Sequence, residues 1–135
     1  MSIVFGKFPI PFHQVFWKGQ YCYAMVNLRP IRPNHILVCT LRPVSRFSDL
    51  NANELKEMMK ASAIISKQLT RGVSSIAIQD GPEAGQSVDH VHVHIIPREA
   101  GSVLKVDSDR GDRTDVEMAS EAAYLRQYLN LDAYM

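Results

Sequence analysis

Three of the five histidines stand at positions 90, 92 and 94, separated by Val91 and Val93. On a β-strand alternate side chains share one face and stand roughly 6–7 Å apart. The spacing therefore lines up three imidazoles on one side and turns Val91, Val93 and Ile95 toward the other, where a helix can cover them. The bland reading, histidines merely tolerated on a polar sheet face, does not account for so regular a pattern. A metal site is a second reading, because two imidazoles at i and i+2 can share one Zn²⁺. It needs a further ligand, His35 or Asp89, and neither a cysteine pair nor a Glu-x-x-His motif accompanies it. The third reading is nucleophilic catalysis. A neutral imidazole is a competent nucleophile near physiological pH if one nitrogen is free, and a covalent intermediate splits one hard displacement at phosphorus into two easier ones. The other nitrogen then has to be held as N–H, most simply by a backbone carbonyl. His92 is the natural nucleophile, since it alone has an imidazole on both sides.

The loop before the triad adds to this. Gly81, Gly85, Gln86 and Ser87 allow close backbone approach to an anion, and Gln86 and Ser87 bring neutral donors. It is not a Walker loop, because Gly-Lys-Ser/Thr is absent. A glycine-rich surface turn is the ordinary alternative.

These residues need a rigid support, and the rest of the chain reads as one. Phe12 to Trp17, Tyr21 to Leu28, His35 to Leu41, Ser75 to Asp80 and Asp89 to Pro97 are strand-like. The first three are joined by Lys18-Gly19-Gln20 and by the proline-broken RPIRPN, which suggests an antiparallel meander. Asn51 is placed to cap a helix with Glu54 at its third position, running from Ala52 to Thr70 with Leu55, Met58, Met59, Ala63, Ile64 and Leu69 along one side and a stop at Gly72. Thr114 and Glu117 form a capping box for a second helix, whose stripe is Val116, Ala119, Ala122, Ala123, Leu125, Tyr128 and Leu129. Both stripes read as core. The expectation is a single α+β domain over residues 1–135, a mostly antiparallel sheet with two helices.

Composition bounds the function. The chain has 135 residues, enough for one core, and its 46% hydrophobic and 21% charged residues are those of a globular protein. A net charge of +1 argues against a polybasic surface for nucleic acid. No apolar run approaches the roughly 20 residues of a membrane span, and the N-terminus has no signal-peptide pattern. Cys22 and Cys39 read as buried thiols of a reducing compartment, so the expected location is the cytoplasm, with nuclear access by size alone. If Asn27 and His35 face one ligand from adjacent strands, pairing parity puts the two cysteines on opposite faces of the sheet.

The stretch QDGPEAGQSVDHVHVHIIPR, with its alternating His-x-His-x-His, resembles the histidine triad (HIT) superfamily, and within it the branch that hydrolyses diadenosine triphosphate. The likeness extends through YAMVN, HILVCTLRPVSRFSDL and EMASEAAYLRQY. Hint-type phosphoramidases share the GQSV-x-His-x-His-x-His core but typically continue with glycines where this chain has Pro97 and Arg98. The resemblance implies about five antiparallel strands with two helices, a homodimer, and attack by His92 on an α-phosphate to release ADP and then AMP. It implies phosphate contacts from Gln79, His94 and the segment Gly85, Gln86, Ser87 and Val88, ribose contact from Asn27, and an adenine slot of Phe5, Ile10 and Met25. His90 and His35 orient the site through hydrogen bonds; a satisfied histidine at a strand start is the plain alternative for His35, and a turn cap for Asn27. The substrate is a small dinucleoside polyphosphate, accompanied by a divalent cation (Mg²⁺ or Mn²⁺) with no tightly bound cofactor, no nucleic acid and no membrane. Two features depart from the family. Residues 99–113 form a short segment with no tyrosine, and Phe8 stands where the family has a histidine. A Hint-like phosphoramidase and a slow-turnover dinucleotide-binding module are the rival functions.

Overall fold

Two proline- and glycine-punctuated segments open the chain before the main sheet begins. In the computed structural model, which describes residues 2–70, 73–98 and 112–131, β1 (Val4–Phe5) and β2 (Phe8–Pro9) form a small antiparallel hairpin. Its turn is Gly6-Lys7, with Gly6 at φ +61°, the left-handed region that a two-residue hairpin requires at its first central position. Sequence reading did not anticipate this hairpin, although Phe-Gly-Lys-Phe is its signal. The helix stop expected at Gly72, and residues 99–111 of the short tyrosine-free segment, lie outside the described residues.

The main sheet holds β3 (Val15–Lys18), β4 (Cys22–Val26), β5 (Ile36–Thr40), β6 (Ser74–Ala77) and β7 (His92–Pro97), all antiparallel, in the order β3-β4-β5-β7-β6. The expected α+β architecture of five antiparallel strands and two helices is what the chain adopts. The strand that carries His92 and His94, last in the chain, lies between β5 and β6, so hydrogen bonding braces it on both sides.

Three strand boundaries differ from expectation for local reasons. Phe12 to Gln14 form a 3-10 turn rather than the start of β3, because Pro11 sets the chain up for a tight turn and its carbonyl accepts from Gln14 N–H at 3.0 Å. Ser74–Ala77 is shorter than the strand expected at 75–80. Most important, β7 begins at His92, so His90 is not on the strand at all. Val91 N–H bonds to the Val44 carbonyl at 2.7 Å and His90 N–H to the Val88 carbonyl at 2.8 Å, and the chain joins the ladder only afterwards.

Helix α1 (Ala52–Thr70) starts as expected: Asn51 Oδ1 accepts from Glu54 N–H, and Glu54 Oε1 accepts from Asn51 N–H. Helix α2 (Asp115–Tyr128) has the full capping box of Thr114 and Glu117. The buried faces are rotated from those expected. In α1 the sheet is met by Met58, Ala61 and Ile65, while Leu55 and Met59 are exposed. In α2 it is met by Met118, Ala122 and Leu125, with Leu129 just beyond, while Val116, Ala123 and Tyr128 face outward. Both helices carry apolar or small residues around much of their circumference, so periodicity alone does not choose a side.

The two faces of the sheet hold different cores. On the helical side Cys22, Ala24, Val26, Ile36, Val38, Val91, Val93 and Ile95 pack with α1 and α2. On the other side Tyr23, Met25, Leu37 and Cys39 pack with Ile3 and Val15, under Phe5 and Ile10. His92 and His94 belong to this second face, since they stand opposite Cys39 and Leu37 in the β5–β7 register. Cys22 pairs with Thr40 and Tyr23 with Cys39, so the two cysteines do lie on opposite faces and both are free and buried.

Candidate active site

Four buried histidines gather on the second face: His35, His90, His92 and His94. Their ring tautomers follow from their partners, because a neutral imidazole has one donor and one acceptor nitrogen. His92 Nδ1–H donates to the His90 carbonyl at 2.7 Å. Its lone pair is therefore on Nε2, as a nucleophile requires, and the holding group is the backbone carbonyl expected from the sequence.

His35 and His94 form a chain. Ile31 N–H donates to His35 Nδ1 at 2.9 Å, which leaves the proton on Nε2; that N–H donates to His94 Nδ1 at 3.0 Å. His94 must then carry its own proton on Nε2. This Nε2–H is buried and has no partner among the described residues. An unsatisfied buried donor costs roughly 1–3 kcal/mol, and here it stands beside the nucleophile: the His92 and His94 ring centroids are 4.9 Å apart. The pair is an open nucleophile next to an open donor.

His90 is different in kind. Its Nδ1 accepts from Gly6 N–H at 2.8 Å and its Nε2–H donates to the Thr40 carbonyl at 2.8 Å. Both nitrogens are in use, so His90 ties the β1–β2 hairpin to the end of β5. Tyr23 ties the same hairpin from below, its hydroxyl donating to the Val4 carbonyl at 2.8 Å. The hairpin is thereby held with Phe5 edge-on to His92, at 4.9 Å between centroids. Phe5, Ile10 and Met25 do come together, with Leu37, which sequence reading did not name. Phe8 is about half exposed at the hairpin's outer end.

Burial controls the charge of the cluster. Desolvation, then the nearby charges of Arg113 and His92, lowers the His35 pKa to about 4. Desolvation, then His92 and His35, lowers His94 to about 3. Desolvation also lowers His90 and His92 below the ordinary imidazole value. All four are neutral at physiological pH. Since His35 and His90 use both ring nitrogens, the cluster offers a metal only two, short of a tetrahedral set. Among the described residues no group of three or more His, Cys, Asp or Glu is placed to hold a metal ion.

The remaining residues divide. Asn27 and His35 continue the β4–β5 register beyond Val26 and Ile36 and so share the histidine face. Asn27 Oδ1 accepts from Arg29 N–H at 3.0 Å, so the residue does cap a turn, and its Nδ2 lies 3.1 and 3.5 Å from the two His35 nitrogens, over the ring. Gln79 lies two residues past Ala77, the last residue of β6 and the partner of His94. In the loop, Gly81 and Gly85 have φ of 103° and 93°. Gln86 departs from the expectation that its amide meets an anion: Oε1 accepts from Gly81 N–H at 2.7 Å and Nε2 donates to the Ser45 carbonyl at 3.0 Å. Its side chain builds the loop. Among the described residues, the Ser87 hydroxyl and the Ser87 and Val88 N–H groups make no hydrogen bond, and these are the donors available beside the triad.

A free histidine nitrogen on an internal strand of an α+β sheet, beside a donor with no partner among the described residues and a glycine-shaped loop, defines a histidine-triad centre. The chain belongs to the HIT domain family, whose model matches residues 12–101. It is 42% identical over 149 residues to an Arabidopsis thaliana protein named bifunctional bis(5'-adenosyl)-triphosphatase/adenylylsulfatase FHIT, spanning 93% of this chain and 83% of that relative. It is 46% identical over 110 residues to the asymmetrical bis(5'-nucleosyl)-tetraphosphatase of Schizosaccharomyces pombe, spanning 78% of this chain and 60% of the other. Among solved structures it resembles the Plasmodium falciparum diadenosine triphosphate hydrolase in complex with Cyclomarin A, with a TM-score of 0.76 and 36% identity over 94% of this chain and 83% of that one.

Proposed function

We propose that this chain is a dinucleoside polyphosphate hydrolase that cleaves diadenosine triphosphate to AMP and ADP through a nucleotidyl group carried on His92 Nε2. The observation that carries the mechanism is the tautomer pattern: a lone pair on His92 Nε2 beside a proton on His94 Nε2 that has no acceptor among the described residues. In the first half-reaction the His92 lone pair attacks the α-phosphorus, and the bond to the bridging oxygen breaks with its electron pair leaving on ADP. ADP is a stable oxyanion at neutral pH, so a hydrogen bond from His94 suffices to stabilise the charge that develops. In the second, water adds to phosphorus, its proton passing to solvent, and displaces the histidine nitrogen, which regains its lone pair as AMP departs. Ser87 and the N–H groups of Ser87 and Val88 hold the phosphate oxygens, with Gln79 opposite. Phe5, Ile10, Met25 and Leu37 take the base, and Asn27 the ribose.

A divalent cation, Mg²⁺ or Mn²⁺, enters with the polyphosphate as part of the substrate and offsets its charge. The working form is a homodimer in the cytoplasm. Neither sheet edge, β3 or β6, has a partner strand among the described residues, and Val73 and Ile76 are exposed along β6, features that favour association. No described helix is long and apolar enough to cross a membrane.

The deciding assay is anion-exchange analysis of products from a panel containing diadenosine triphosphate, diadenosine tetraphosphate, adenylyl sulfate and an AMP–lysine conjugate. AMP plus ADP as main products supports the proposal. Preferential cleavage of the AMP–lysine conjugate replaces it with a phosphoramidase, and a bound dinucleotide outliving any turnover replaces it with a binding module.

A further inference from the structure

The loop from Asn27 to His35 carries two site residues at its two ends, and both ends are held from outside the sheet. At the first, Arg113 donates from Nε and Nη2 to the Asn27 carbonyl, at 3.0 and 2.6 Å, and its backbone N–H donates to the Leu28 carbonyl at 2.9 Å. These carbonyls lie beyond Val26–Ile36, the last pair of the β4–β5 ladder, so no strand supplies their donors. At the other end, Glu121 of α2 accepts from Asn34 N–H at 3.1 Å through Oε2. Asn34 adjoins His35 and has φ of 65°, a left-handed conformation that costs any residue with a Cβ and needs surroundings that impose it. Glu121 Oε1 accepts from Arg113 Nη2 at 3.0 Å, which joins the two anchors into one unit.

We propose that Arg113 and Glu121 are positioning residues of the histidine site, setting Asn27 and His35 from just before helix α2 and from its middle turn. Their side chains are 16% and 13% exposed, so the pair is poorly screened and its geometry is enforced more firmly than that of a surface ion pair. The effect passes through the two residues that end the loop. Asn27 sets its amide over the His35 ring, and His35 orients His94 through the 3.0 Å bond that leaves the His94 Nε2 proton facing the nucleophile. The loop's own sequence, with Pro30 and Pro33, cannot supply the missing donors at those positions. Arg113 is also the anchor immediately preceding the α2 cap, Thr114. The chain that enters α2 is thus fastened to the site before the helix begins.

The inference rests on the proposed hydrolase reading only for the kinetic half of its test. Two full-length variants, Arg113→Lys and Glu121→Gln, are compared with the native protein by steady-state cleavage of diadenosine triphosphate, by AMP affinity, and by ¹⁵N NMR of the imidazoles. Lysine keeps the charge but not the fork that reaches one carbonyl and one carboxylate together. The expectation is a fall of at least tenfold in kcat/KM and AMP affinity for Arg113→Lys, a smaller fall for Glu121→Gln, and displaced His35 and His94 nitrogen signals in both. Folded variants with native imidazole signals and native AMP affinity would overturn the proposal and leave the pair as a tie between helix and sheet, whatever the melting temperature does. If the native protein fails to cleave the dinucleotide, the hydrolase reading falls, while displaced imidazole signals in the variants still support the positioning role. If Arg113→Lys does not fold, Glu121→Gln decides through the same signals and affinity.

Discussion

Replacing His92 by alanine is expected to lower kcat by at least about a thousandfold while substrate affinity changes by no more than a few fold, because the covalent route is lost and the phosphate donors are not. The donors proposed for phosphate are His94 Nε2, the Ser87 and Val88 backbone and Gln79; the Gln86 amide does not count among them, since it is bound within its loop. Quenching a turning-over native sample with strong base, followed by mass mapping under alkaline conditions, should place one adenylyl group on His92. A His92→Ala protein with near-native turnover would end the covalent mechanism. His94→Ala, by contrast, removes the open donor as well as the partner of His35. Both kcat and substrate affinity should fall, and a variant losing neither would show that the Nε2–H does not meet phosphate.

At the scale of elements, the triad divides into two working histidines on a strand and one that fastens a hairpin. His90→Ala leaves the Gly6 N–H and the Thr40 carbonyl without their partner. Each orphaned group costs roughly 1–3 kcal/mol, so denaturant unfolding should show a loss of about 2–6 kcal/mol. Turnover should fall less than in His92→Ala, since neither His92 Nε2 nor His94 Nε2 depends on the His90 ring. A His90→Ala protein of native stability would show that the hairpin is held by Tyr23 and its own contacts alone. The hairpin turn gives an independent check. Alanine at Gly6 would meet Val88 Cγ1 at 2.9 Å at a φ of +61°, so Gly6→Ala should displace Phe5 from His92 and weaken nucleotide binding, measured by titration with AMP.

For the whole molecule, burial of neutral imidazoles links folding to pH. His35 and His94 titrate at about 4 and about 3 when folded, against about 6.5 in an unfolded chain. Between these values the unfolded chain binds more protons than the folded one, so stability is full above pH 6.5 and declines as pH falls through that window. On the order of 2 kcal/mol per residue should be lost between pH 7.5 and 5, read as a falling urea midpoint; an unchanged midpoint would mean that the imidazoles are charged or exposed when folded. The thiols respond differently. Burial, then Glu57 and Glu54, pushes Cys22 up to about 12, and burial raises Cys39 as well. With side chains on opposite faces of the sheet they cannot meet. A non-reducing peptide map should contain no Cys22–Cys39 link, and a stoichiometric link would contradict the β4–β5 register.

What the sequence determined by itself was local or periodic. The i, i+2 spacing of His92 and His94 assigns them one face and Val91, Val93 and Ile95 the other, and both capping boxes are written within four residues. Strand parity across a paired register was enough to separate Cys22 from Cys39. Tertiary structure decided whatever depended on a distant partner. Whether His90 belongs to the strand turned on the Val44 carbonyl, and the orientation of the Gln86 amide on Ser45 and Gly81. The buried face of each helix turned on where the sheet lies, because apolar residues such as Leu55, Met59, Val116 and Tyr128 stand on the outward faces as well. Nothing in the local sequence marks Arg113, just before the α2 cap, or Glu121, midway along α2, as site residues; only the fold brings them to Asn27 and Asn34, more than eighty residues away in the chain. A hydrogen bond selects a group by position in space, and local sequence records spacing along the chain alone.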